Sequence, residues 1–196
     1  MKIVIDNSVE DCKYIDDVIY ALCKVNSKYF VYPDNDKEDQ YKYPERVFAY
    51  ELYHQYRTIM QEMPEKYSGL YLNGEQPKSS HVWKGLARIT PDMILHKYID
   101  KPDYTGEGQE WLCEIKMLGN PNIIGDLTKI KEKEEVLKFK DYIFMYIGSD
   151  IVNFKRKLDD AKFCLNDTIC RTICICAVYN DNETSIECKR INNIFK

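Results

Sequence analysis

The stretch WLCEIKML, Trp111 to Leu118, is apolar except for Glu114 and Lys116. A run this rich in large apolar residues belongs in a buried strand, and side chains alternate across a strand. Glu114 and Lys116 therefore share one face, while Cys113, Ile115 and Met117 take the other. Any fold adopted by this chain must accommodate a carboxylate and an ammonium side by side on a largely buried strand. Two arrangements do so: a surface-facing salt pair on an edge strand, or a polar cleft opening beside the sheet.

The rest of the sequence supplies the partners. MKIVID reads as a short strand, and Ser8 with Asp11 forms a capping-box-like start to a helix running to about Tyr29. YPDNDKEDQYKYP is polar and acidic, a loop by composition, and Pro44 opens a second helix, PERVFAYELYHQYRTIMQEM. Short strands are expected at GLYL and VWKGLARI. PDMILHKYI and EWLCEIKML, joined by the turn-rich DKPDYTGEGQ, form a hairpin by pattern. A charged helix over NPNIIGDLTKIKEKEEVLKF precedes the fully apolar strand DYIFMYIG. Another helix follows, with Ser149 as its expected cap, and TICRTICICAVYN and SIECKRINNIF make a closing hairpin. This order predicts an α/β protein built on one mixed sheet. Residues 1–43 read as an N-terminal strand, helix and acidic loop appended to a core over 44–196, together one domain of 196 residues.

Composition narrows the function classes. The net charge is −4, whereas a protein that coats nucleic acid non-specifically is usually basic, because lysine and arginine neutralise the phosphates. An enzyme whose acidic residues hold metal ions is compatible with this balance, since the ions bring their own positive charge. The N-terminus lacks a signal-peptide layout and no apolar run approaches bilayer length, so we expect a cytoplasmic protein without a membrane partner. Eight cysteines without paired spacing are then expected as reduced thiols. Alternating Ile and Cys in CRTICIC reads as a buried strand rather than a metal site.

Asp92, just after Pro91, starts the strand that pairs with EWLCEIKML, and hairpin pairing brings it beside Glu114. Adjacent carboxylates raise one another's pKa unless a cation sits between them. Oxygen ligands of this kind suit Mg²⁺ or Mn²⁺. Lys116, one strand step on, is placed to orient or help deprotonate an attacking water, or to neutralise charge developing on a phosphate. The simpler alternative for Asp92 is a turn residue after proline.

Pro91-Asp92 followed on the next strand by Glu114-Ile115-Lys116 resembles the PD-(D/E)xK nuclease superfamily, whose fold many restriction endonucleases share. The resemblance covers about residues 44–149. It implies a restriction-endonuclease-like mixed β-sheet flanked by helices, in which a helical glutamate precedes the hairpin and a helix and strand follow. It further implies one or two Mg²⁺ or Mn²⁺ ions held by Asp92, Glu114 and a helical glutamate, with Lys116 completing the catalytic set. Glu51 is the best match for that glutamate, with Glu45 in reserve, and Lys129 or Asp126 matches the polar position on the following helix. The function implied is metal-dependent phosphodiester hydrolysis, in DNA before RNA, by an endonuclease or exonuclease; with no separate recognition domain evident in the sequence, a small stand-alone or homodimeric enzyme is expected. A nuclease-like fold serving only as a nucleic-acid-binding or protein-interaction module is the alternative.

Weaker candidates surround this set. His54 lies one turn beyond Glu51 and is expected as a tucked-in polar residue, with a metal ligand or a substrate contact as the alternatives. His96 lies about 13 Å along the strand from Asp92, too far to share a metal. Glu75 and Lys78 precede the hairpin and are candidates for lining the cleft, and Lys129 and Lys131 for meeting a phosphate backbone. A solvated helix face is the alternative for these lysines.

Overall fold

The apolar runs assemble side by side. In the computed structural model, which describes residues 1–33, 41–42, 44–74, 91–97, 108–119, 122–161, 172–179 and 184–195 (backbone alone for 32–33, 41–42 and 131–137), seven strands make one mixed sheet. They are β1 (Lys2–Ile5), β4 (Leu70–Gly74), β5 (Met93–Lys97), β6 (Gln109–Met117), β7 (Asp141–Ile147), β8 (Thr172–Tyr179) and β9 (Thr184–Arg190). Their order across the sheet is β1-β9-β8-β7-β6-β5-β4. Two short strands, β2 (Tyr32–Pro33) and β3 (Tyr41–Lys42), pair separately. The helices are α1 (Ile15–Lys24), α2 (Glu45–Glu62), α3 (Ile123–Leu137), α4 (Ile151–Asp160) and the single turn α5 (Ile191–Ile194).

β6, β7 and β8 run parallel, linked through α3 and α4, while β4, β5 and β6 form an antiparallel meander. Parallel strands are covered on both faces, which explains why WLCEIKM, DYIFMYI and TICICAVY are nearly continuous apolar runs. Met93, Leu95, Cys113, Ile115, Ile143 and Ile175 pack on one face beneath α1 and α2, with Leu22, Phe48, Leu52 and Tyr56 in the same core. Ile94, Leu112, Phe144 and Tyr146 pack on the other with Leu127 of α3, Phe154 and Leu158 of α4 and Ile191 of α5. The result is a three-layer α/β structure, a seven-stranded mixed sheet between helices. Among the described residues no helix is long and apolar enough to cross a membrane.

Two local expectations are corrected. Ser8 and Asp11 do not cap a helix: a 3₁₀ turn over Asn7–Val9 is capped by Asp6, and α1 starts at Ile15. Arg190, far away in sequence, takes both residues, its N–H donating to Ser8 Oγ and its guanidinium to Asp11. At α4 the cap is Asp150, whose carboxylate accepts from Asn153 N–H at 2.8 Å, rather than Ser149. β1 extends the main sheet, and α1 shares its core. The strand expected at VWKGLARI (82–89) lies outside the described residues, as do Glu75 and Lys78.

Cys174 and Cys176 are buried in β8, as the alternating pattern predicts, and burial pushes both thiols up, away from thiolate reactivity.

Candidate active site

The antiparallel ladder between β5 and β6 ends where Met93 pairs with Cys113, while β6 continues to Met117 alongside β7. Continuing the register by one step sets Asp92 against Glu114. The backbone N–H of Ile115 faces the side from which β5 has ended, and Asp92 Oδ2 accepts its hydrogen bond at 2.6 Å. The carboxylate therefore stands in for a missing strand, and the sheet opens at this point. Glu114 is buried, on the same face of β6 as Leu112, and Ile115 and Met117 are in the core on the opposite face.

Lys116, on the same face as Glu114, gathers carboxylates from both helical layers. Its Nζ donates to Glu45 Oε1, in the first turn of α2, at 2.9 Å and lies 3.5 Å from Asp126 Oδ2 in the first turn of α3. Asp126 is itself buried, and its other oxygen meets Lys129 Nζ at 2.6 Å. Both acids sit near helix N-termini, where the helix dipole favours negative charge.

Asp92 is electrostatically the most disturbed carboxylate of the group. Burial, then the neighbouring Glu114, push its pKa up to about 7, against the opposing effects of the Ile115 N–H and Lys116. For Lys116, burial favours the neutral amine, but the hydrogen bond to Glu45 and the charges of Glu45, Asp126 and Asp92 outweigh it and raise the pKa. Lys116 is thus an ammonium at neutral pH.

A pH dependence follows. Below about pH 4, Asp92 is protonated in folded and unfolded chains alike. Between about pH 4 and 7 the folded protein retains a proton that the unfolded chain has released, so its contribution to stability is lost as pH rises through this window. The melting temperature of metal-free protein should therefore fall relative to that of an Asp92→Asn variant between about pH 5 and 8, and Mn²⁺ should restore it most at the alkaline end. Melting curves in chelator and in Mn²⁺ check this; parallel pH profiles for the two proteins would show that Asp92 ionises freely.

Of the residues singled out from sequence, Asp92, Glu114 and Lys116 come together. Glu51 does not join them: its Oε1 accepts from Gln55 Nε2 at 2.7 Å along α2, and Glu45, six residues earlier, contacts Lys116 instead. His54 is exposed on α2 rather than tucked in. His96 is bound to Asn73 and to the carbonyl of Lys97, within the β4–β5 ladder. Among the described residues Lys129 reaches the cluster through Asp126. An open cleft of about 360 Å³ reaches Asp92 between α2 and the β4–β5 edge, lined also by Ala49, Tyr50, Tyr53 and Gly74. Nothing in the sequence marks these two tyrosines out from the sixteen spread through the chain. Tyr53 is held by a hydrogen bond to the Leu72 carbonyl, and Tyr50 is 60% exposed.

No family model matches the chain, and neither a curated protein nor a solved structure matches it significantly.

Proposed function

We propose that the protein is a metal-dependent nuclease of the PD-(D/E)xK type, hydrolysing phosphodiester bonds in DNA in preference to RNA. The observation that carries the reading is the half-buried carboxylate of Asp92 set against Glu114 at the end of a strand ladder, with Lys116 beside them. The succession α2, β4–β5–β6, α3, β7 supports it, because the resemblance implies a helix, a hairpin carrying the acids, then a helix and a strand.

Among the described residues no three His, Cys, Asp or Glu side chains form a ready cage for a metal. Mg²⁺ does not require one, since it keeps several waters and is commonly held by one or two carboxylates together with substrate phosphate. Asp92 and Glu114 fit that pattern, and their mutual repulsion is the state a cation would relieve. A bound Mg²⁺ or Mn²⁺ would supply Lewis-acid polarisation of the phosphate and a water of lowered pKa. Asp92 and Glu114 would hold the ion, and Glu45 and Asp126 hold the Lys116 ammonium within the cluster. Lys116, already protonated, donates a hydrogen bond to a water or a phosphate oxygen instead of removing a proton. The open cleft beside Asp92, with its tyrosines, admits substrate.

Asp92 already has a structural task at Ile115 N–H, and Lys116 is held by carboxylates; both facts favour a second reading, an inactive nuclease-like module. Cleavage of plasmid, linear duplex, single-stranded DNA and RNA with Mg²⁺ or Mn²⁺, beside a Glu114→Gln control, separates them. The nuclease should cut at least one DNA substrate and the control should not. Native protein inert on every substrate, or a control as active as native, rejects the enzyme.

A further inference from the structure

Among the described residues β1 ends the seven-stranded sheet and pairs only with β9, in parallel. Met1, Ile3, Val4 and Ile5 are all more than a third exposed. An exposed apolar strand at a sheet edge is a template for another strand, and folded proteins normally blunt it.

Asp6, the next residue, sets which hydrogen-bonding groups of β1 face away from β9. Asp6 N–H donates to the Cys188 carbonyl of β9 at 2.9 Å. Along a strand these groups alternate sides, so Lys2 and Val4 also turn theirs toward β9, and Ile3 and Ile5 turn theirs outward. A strand pairing antiparallel with its own copy about a twofold axis must match outward residues with outward residues. Setting Ile3 against Ile5 satisfies this and places Val4 on the axis, opposite itself. The same register sets Lys2 against Asp6 at both ends, ammonium to carboxylate, in the close non-hydrogen-bonded pairs of the ladder. Shifting the register by two in one direction faces Lys2 with Val4, and in the other faces Val4 with Asp6; both lose the charge match. We propose that β1 pairs antiparallel with β1 of a second copy of this chain about a twofold axis at Val4, joining the two sheets into one.

The side chains agree with this pairing. Ile3 and Ile5 lie on the sheet face of Ile186 and Cys188, so the apolar layer under α1 continues across the axis. Hydrogen bonds from Ser8 hold the Asp6 carboxyl below its usual range, so it is charged when Lys2 meets it. The lysine that would protect a free edge is therefore matched rather than repelled. A four-residue strand buries little surface, placing the contact among small, transient interfaces, below about 1,200 Å².

Sedimentation of the native chain from about 1 to 200 µM should show a concentration-dependent dimer. Val4→Lys, which opposes two ammonium groups across the axis, should remain monomeric throughout. Val4→Cys should form a covalent dimer on mild oxidation, because residues facing across such a ladder have Cα atoms about 4.5 Å apart, within disulfide reach. Ile3→Cys, which faces Ile5 and not itself, should crosslink no more than native protein. A native chain monomeric at the highest concentration, a dimer that survives Val4→Lys, or equal crosslinking of Ile3→Cys and Val4→Cys overturns the proposal. None of these outcomes depends on nuclease activity.

Discussion

Lys116→Ala is expected to bind Mn²⁺ at least as tightly as the native protein, yet to hydrolyse phosphodiesters at least ~100-fold more slowly. The substitution leaves Asp92, Glu114, Glu45 and Asp126 in place and removes the ammonium that competes with a metal for their charge. What disappears is a positioned hydrogen-bond donor and positive charge, the kind of group whose loss slows catalysis by about 10²–10³. Stability should fall by only about 1–3 kcal/mol, because buried Asp126 keeps Lys129 at 2.6 Å. Since the carboxylates hold Lys116 protonated, its removal should not abolish an activity limb with a midpoint near neutrality. Calorimetric Mn²⁺ titration and a cleavage time course on one substrate read both halves. Unchanged activity would reduce Lys116 to a structural ion pair between the sheet and two helices.

Glu114 and Lys116 were legible because strand alternation is a strict period of two, and Asp92 because a hairpin register carries it to the same place. Which glutamate of α2 reaches them was not. Val47, Tyr50 and Tyr53 widen the apolar stripe of that helix, so the sequence leaves its rotation about its own axis open. Packing settles it: Phe48, Ala49, Leu52 and Tyr56 are buried while Val47 and Tyr50 face out. Glu45 lies nearly above Ala49 and Leu52 on a helical projection, and Glu51 lies well round from them. The capping box at Ser8 failed for another reason. Its members are taken by Arg190, a partner at the other end of the chain that no local pattern reveals. The mixed sheet between helical layers followed from the order of the elements, because strands this apolar need cover on both faces. The outward register of β1 depends on Asp6 N–H facing β9, a direction that no local sequence pattern sets.

Asp92→Asn is expected to remove Mn²⁺ binding at the cluster and to slow cleavage by about 10³ or more, while raising the melting temperature of the metal-free protein near pH 8. The amide oxygen of asparagine can accept the Ile115 N–H as the carboxylate does, so the opened end of the ladder keeps its hydrogen bond. Only the charge is lost. In the native protein that charge is disfavoured by burial and by Glu114, which is why the pKa stands at about 7. Above that pH the native fold carries a repulsion that the variant lacks, whereas near pH 5 the native carboxyl is largely protonated and the two proteins should melt closer together. The opposite movement of stability and activity distinguishes a metal ligand from a structural residue. A carboxylate kept only to cap Ile115 would be replaced by asparagine with no change in metal affinity or cleavage. A carboxylate kept to hold a cation would lose both on replacement, while the empty fold became steadier at alkaline pH. Melting curves at about pH 5 and 8, calorimetric Mn²⁺ titration and a cleavage assay, all on the same preparation, decide between them. Retention of cleavage in Asp92→Asn would remove Asp92 from the active site and take the nuclease reading with it.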